Sequence, residues 1–334
     1  MLSMKSDAAN HAGARDGVLN YMSRASESSL RRNGKVLTRR DLDGNDSVRE
    51  GVELEPVVAP IIDARQLTGA AACTLHDHGF ELVARDLGTD TPDYFSHANV
   101  VQLYYPDCVE LVQEATGSAH VYAFDHNVRS AQGKNEQTRI DGGQHVQGPA
   151  RMVHGDYTLT SAPQRLRDLA RPPTTNDTMK PFLPDGESLI PPDVMQDFSA
   201  GSGRFAIINV WRNIAPEPVQ THPLALCDAR SVGPDELVVF EIHYADRVGE
   251  NYFAKPGSTH RWFCYPEMTR NEALLLKQWD SAGIFATSDG ERGDGEIPGQ
   301  PSTFSFHTAF QDPKAPDDAP ARWSIEVRTV VLYP

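Results

Sequence analysis

FAIINVWR (205–212), ELVVFEIHY (236–244), RWFCY (261–265), ALLLKQW (273–279), FSFHTAF (304–310) and WSIEVRTVVLY (323–333) set the character of the second half of this chain. Each run is short, rich in β-branched and aromatic residues, and closed off by Pro, Gly or Asp clusters. Few helical stretches separate them, which indicates an antiparallel sandwich or barrel. The expected fold class is mainly β, a barrel with flanking helices and long loops.

Working outward, PVVAPIIDARQL (56–67), FELVA (80–84), HVYAFD (120–125) and RMVHGDYTL (151–159) read as further strands. DCVELVQEAT (107–116) has apolar residues at helical spacing, with Asp107 placed to cap its start, and SAPQRLRDLA (161–170) has the pattern of a short helix. Residues 1–50 are polar and are expected to form an arm, partly ordered where Val18 to Tyr21 interrupt the polarity. Residues 51–334 are expected to form a single domain. The segments 134–150, 171–203, 245–258 and 282–302 are expected to be the loops that shape a pocket.

The formal charge is −15, from 46 acidic and 31 basic residues, and no dense Lys/Arg stripe matches a phosphate backbone. Nucleic acid is therefore not an expected partner. Bulk negative charge also opposes an anionic ligand, so a dicarboxylate would need a specific, desolvated Arg. The first thirty residues contain no apolar run of signal-peptide or membrane-helix length, and a cytoplasmic protein without membrane association is expected. Cys73, Cys108, Cys227 and Cys264 are scattered without a C-x-x-C pair and read as reduced and mostly buried.

His154 and Asp156 lie two residues apart on a predicted strand, so both side chains project from one face. His307 is the best-placed third ligand, expected from a different strand that closes over the site. Two imidazoles and one carboxylate leave the opposite coordination positions open, which suits Fe(II) that must bind a bidentate keto acid and O2 together. A structural zinc site would instead be closed by four ligands, usually including thiolates. Arg322 and Ser324 again share a face, placing a guanidinium and a hydroxyl where both reach the distal carboxylate of 2-oxoglutarate. Arg328 is the rival arginine, with pairing to Glu326 as its structural alternative. Asn209 and Trp211 form another same-face pair, either lining a cofactor pocket or serving as a structural Asn and a core Trp. His76 and His78 lack an evident third ligand and read as scaffold.

Several blocks resemble the AsaB-type hydroxylase/desaturase family, which includes the CmcJ component of cephamycin 7α-methoxylase. They include LNY (19–21), HGF (78–80), FDHNVR (124–129), VHGDYT (153–158), NVWR (209–212), PLALCDARSV (223–232), HRWFCYPEM (260–268), LLLKQWDS (274–281), FHTAF (306–310) and SIEVR (324–328). The resemblance runs from about Val18 to Tyr333. It implies a double-stranded β-helix (jelly-roll, cupin-like) oxygenase that uses Fe(II), 2-oxoglutarate and O2 to hydroxylate or desaturate a secondary metabolite. It places the metal on His154, Asp156 and His307 and an R-x-S of the superfamily type on Arg322 and Ser324, and it does not decide whether Arg322 or Arg328 holds the keto acid. Two rivals stay open at this point. One is a barrel metalloenzyme using another divalent metal; the other is a partner-dependent or non-catalytic component of a methoxylase-like complex. A homodimer or a biosynthetic partner protein is compatible with either oxygenase reading.

Overall fold

The computed structural model describes residues 14–40, 46–88, 92–244 and 247–333. Of the expected arm, residues 1–13 and 41–45 lie outside the described residues, as do 245 and 246 of one expected pocket loop. The first half carries β1 (Arg15–Met22), β2 (Leu37–Arg40), β3 (Asp46–Glu50), β4 (Leu54–Asp63), β5 (Phe80–Ala84), β6 (His120–Arg129) and β7 (His154–Gly155). The second half carries β8 (Arg204–Asn213), β9 (Leu224–Cys227), β10 (Leu237–His243), β11 (Val248–Ala254), β12 (Trp262–Cys264), β13 (Glu272–Asp280), β14 (His307–Ala309) and β15 (Ser324–Tyr333).

These strands form a ten-stranded sheet, ordered β1-β4-β12-β9-β14-β7-β11-β10-β2-β3, and a five-stranded sheet, ordered β5-β13-β8-β15-β6. One apolar cluster joins the sheets: Tyr252, Ala254 and Phe306 from the larger side meet Ile207, Trp279 and Val330 from the smaller. The two sheets therefore pack face to face over a shared interior. On the opposite face of the five-stranded sheet, Ala206, Ile208, Val210 and Val327 pack against Tyr105, Cys108, Leu111 and Val112 of the helix Tyr105–Thr116. Among the described residues, no helix is long and apolar enough to cross a membrane. All four cysteines are free and buried.

Several local expectations are corrected. RMVHGDYTL is strand only at His154–Gly155, because Thr158 turns the chain by accepting from Thr160 N and Ser161 N at 3.1 and 3.0 Å. That turn starts the helix Ser161–Leu169. Asp107 does not cap its helix. It sits in the first turn and accepts from Arg85 Nε at 2.7 Å, where a negative charge still complements the helix dipole. Of the expected loops, 171–203 contains the helix Pro192–Ala200, 245–258 the strand β11 and 282–302 the short helix Ile284–Thr287. In segment 282–302, Asp294 is buried and accepts from Phe285 N and Thr303 N at 3.0 and 2.6 Å, pinning a stretch whose polar composition reads as loose. Within the expected arm, β1 pairs along its whole length with β4 and buries Leu19, Tyr21 and Met22.

The five-stranded sheet carries two bulges at adjacent levels. Between β15 and β6, Arg328 faces Asp125 and Thr329 faces Ala123, so Phe124 is an extra residue. Between β13 and β8, Lys277 faces Ile208 and Trp279 faces Ile207, so Gln278 is an extra residue. Above them the inner face is polar, with Asp125, Asn127 and Arg129 in register with Arg328, Glu326 and Ser324. Asn209 and Trp211 continue the same rows on β8. Below them the inner face is apolar, built from Phe124, Ile207, Trp279 and Val330.

Candidate metal centre

His154 and His307 are direct register partners on β7 and β14, with ring centroids 4.3 Å apart. The third ligand thus comes from the adjacent strand of the same sheet, not from one closing over the site. Asp156 leaves β7 one residue later, and one donor atom from each of His154, Asp156 and His307 lies within 4.8 Å of the others.

Neighbouring groups select which atoms face inward. His154 Nδ1–H donates to Met152 O at 2.7 Å, which leaves the Nε2 lone pair pointing to Asp156 Oδ1, 3.7 Å away. That separation is too long for a hydrogen bond and suits two ligands of one ion. Asp156 Oδ2 accepts from Asn209 Nδ2 at 2.9 Å and Arg328 Nε at 3.3 Å, and Asp156 N–H donates to Gln278 Oε1 at 3.0 Å. Gln278 follows Leu276 on the inner face of β13, at the point where the bulge begins.

Protonation states fit a cation. Burial, then the neighbouring His307, push His154 down to about 4, and burial lowers His307 as well, so both imidazoles are neutral ligands at pH 7. Burial works to raise Asp156, but Arg328 and the two histidines overcome it and hold the carboxyl well below the usual range. His307 Nδ1 has no hydrogen-bond partner. Two neutral imidazoles and an ionised carboxylate, buried and not bonded to one another, match the donor set of a two-histidine, one-carboxylate iron centre.

The other candidate residues gather on the facing sheet. Arg328 is committed: Nη1 donates to Asp125 Oδ2 at 2.8 Å, Nε reaches Asp156, and Nη2 lies 3.6 Å from Glu326. Arg322 is 3% exposed and pairs with no carboxylate among the described residues. Its Nη1 donates to the His222 carbonyl, its Nε has no partner, and its guanidinium carbon sits 5.6 Å from the Trp211 ring. Ser324 is buried, its hydroxyl 3.5 Å from the Arg129 carbonyl oxygen. Asn209 and Arg328 thus touch the carboxylate of the cluster, and Trp211 and Ser324 share their inner face of the sheet. His78 lies elsewhere, packed on Phe80 and Phe263 beside Arg230.

A family model described as "Oxidoreductase/YMDC permease-like domain" matches residues 19–182 and 187–332. The chain belongs to this family. A protein of the dcmA 3' region of Methylophilus leisingeri is 44% identical over 59% of this chain and 89% of its own length. The Fe(II)/2-oxoglutarate-dependent dioxygenase NvfI of Aspergillus novofumigatus is 29% identical over 77% of each chain. The hydroxylase/desaturase EfuI of Hormonema carpetanum is 26% identical over 86% of each chain. The solved structure of NvfI, an iron and α-ketoglutarate-dependent endoperoxidase, superposes with a TM-score of 0.69 at 23% identity, covering 96% of this chain and 98% of that one. The fold of this family member is thus that of NvfI, and the AsaB-type resemblance agrees with a hydroxylase/desaturase among its relatives.

Sequence reasoning missed Asp125, Arg129 and Gln278. The first two were legible as alternate positions of FDHNVR, which share one face of a strand. Gln278 was legible in the same way, two residues beyond Leu276 on the inward face of ALLLKQW.

Proposed function

We propose that this family member is an Fe(II)- and 2-oxoglutarate-dependent oxygenase that hydroxylates or desaturates a small-molecule secondary metabolite, with succinate and CO2 as co-products. The observation that carries this reading is the His154–Asp156–His307 cluster, together with Arg322, a buried arginine that pairs with no carboxylate among the described residues. The names of NvfI and EfuI support the same chemistry. The two packed sheets support a double-stranded β-helix, with residues 51–334 as one oxygenase domain to which β1 to β3 add strands.

Iron would be held by His154, Asp156 and His307. When bound with the keto acid and O2, it supplies the oxidising power to remove hydrogen from a substrate C–H bond. The chain's own groups do the rest. Met152 O fixes the His154 tautomer, and Asn209 and Arg328 hold Asp156 ionised and oriented. Arg322 and Ser324 receive the distal carboxylate of 2-oxoglutarate, with Trp211 keeping the guanidinium in place. The apolar floor below the bulges limits water, so a C–H bond meets the centre in a dry environment.

The test is metal analysis together with succinate release. Iron bound near one equivalent, 2-oxoglutarate consumption, and loss of both in His154→Ala, Asp156→Ala and His307→Ala are the expected results. Another bound metal with no keto-acid demand, or wild-type iron content in the variants, would overturn the reading.

A further inference from the structure

Three arginines reach the polar wall, and their partners differ. Arg328 is surrounded by Asp125, Asp156 and Glu326. Arg322 has no ion-pair partner among the described residues and an unbonded Nε. Arg129, the last residue of β6, stands in register with Ser324, so its side chain shares the inner face with the hydroxyl already assigned to a carboxylate. Its one side-chain hydrogen bond is from Nη1 to Gly148 O at 3.0 Å, and no carboxylate of the described residues lies within ion-pair distance.

Burial and then Arg129 lower Arg322 to about 9. Burial lowers Arg129 too, with Arg328 adding to it and Asp156 opposing it. Glu326 attracts both but stands within ion-pair distance of Arg328 alone. Like charges withdrawn from water without a counter-ion destabilise the fold. Such a pair persists where a ligand anion completes it. Arg328 cannot serve that purpose, since its own carboxylates already neutralise it.

We propose that Arg129 is a second binding residue for the distal carboxylate of the keto acid, receiving it opposite Arg322 with Ser324 between them. This rests on the oxygenase reading above. It makes the site selective for a dianionic keto acid, because a monoanionic one of equal length leaves both guanidiniums unmatched.

The experiment is calorimetric binding of 2-oxoglutarate and of 2-oxovalerate, the analogue without the distal carboxylate, to Mn(II)-loaded protein. Wild type, Arg129→Gln and Arg129→Lys are compared, with Mn(II) affinity and thermal unfolding checked for each. Arg129→Gln should weaken 2-oxoglutarate by about ten- to a hundredfold, the loss of one charge-assisted contact, and leave 2-oxovalerate unchanged. Arg129→Lys should recover part of the loss. Equal weakening of both acids, or of neither, overturns the assignment while the wild type's preference for 2-oxoglutarate leaves the oxygenase reading standing. A wild type that binds both acids equally overturns the oxygenase reading and this assignment together.

Discussion

Arg328 Nε donates to Asp156 Oδ2 across 3.3 Å, while Asp156 Oδ1 stands 3.7 Å from His154 Nε2. The two oxygens of one carboxylate therefore have separate tasks: one is gripped by the protein and the other is offered to a metal. Arg322, six residues earlier in the chain, has no such commitment, so the two arginines that compete in the sequence are expected to fail in different ways.

Arg328→Gln removes the grip and raises the Asp156 carboxyl towards its ordinary range. Metal affinity should fall by about ten- to a hundredfold, as for other partners that orient a metal ligand. Binding of 2-oxoglutarate to metal-saturated protein should change little. Competitive titration with a metal indicator measures the first, and unchanged metal affinity would show that Asn209 alone holds Asp156.

Arg322→Ala should do the reverse. The 2-oxoglutarate requirement should rise by about ten- to a hundredfold, the usual effect of losing a charge-assisted hydrogen bond to a carboxylate. Iron content should stay at the wild-type level. Succinate release at varied 2-oxoglutarate is the assay, and a defect confined to Arg328→Gln would reassign the keto acid to that residue.

The metal-free protein should lose stability on mild acidification. His154 is held at about 4 by burial and by His307, whereas in an unfolded chain an imidazole titrates near its ordinary value. Between those values the unfolded chain binds more protons, so stability is present above about 6.5 and is lost as pH falls towards about 4. His154 alone accounts for roughly 3 kcal/mol across that window, at 1.36 kcal/mol per unit. Asp156 adds nothing there, because a depressed carboxyl acts only below the ordinary carboxylate range. Denaturant unfolding of chelator-treated protein at pH 7 and pH 4.5 measures the drop, and His154→Gln should make it shallower, leaving the part carried by His126 and His307, which burial lowers as well. An equally steep drop in His154→Gln would move the effect to other groups.

Gly155 sits between two ligands, and a Cβ there would lie 3.3 Å from Phe304 Cδ2 and 3.7 Å from Phe306 Cδ1. Valine adds further methyl groups against both rings. Gly155→Val should cost about 1–3 kcal/mol, the range for overpacking, and should weaken metal binding by displacing His154 and Asp156. Normal unfolding with normal metal affinity would show that the rings have room to shift.

The sequence made the site legible where chemistry and short-range periodicity coincide. Spacing of two joined His154 to Asp156 and Arg322 to Ser324, and alternation alone exposed the strand-rich second half. The rest depended on contacts between distant segments. That β14 lies beside β7 is set by sheet order, and β1 is a strand because β4 pairs with it, although its own composition is polar. Asp294 reads as a loop residue until Phe285 and Thr303 turn their amides towards it. Arg129 looked ordinary because an arginine's lack of a partner is invisible before its neighbours are known.

Phe124 and Gln278 each add one residue to their strands at adjacent levels of the sheet. The register resumes directly beyond each of them, with Asp125 facing Arg328 and Ala123 facing Thr329, so the extra residue is absorbed locally and the facing on both sides is kept. Removing Phe124 would leave Asp125, Asn127 and Arg129 pointing inward and would take only one aromatic ring out of the apolar floor. These two points are therefore where the strands can gain or lose a residue and keep the cavity wall; a codon added elsewhere in them would turn one side of the strand to the opposite face.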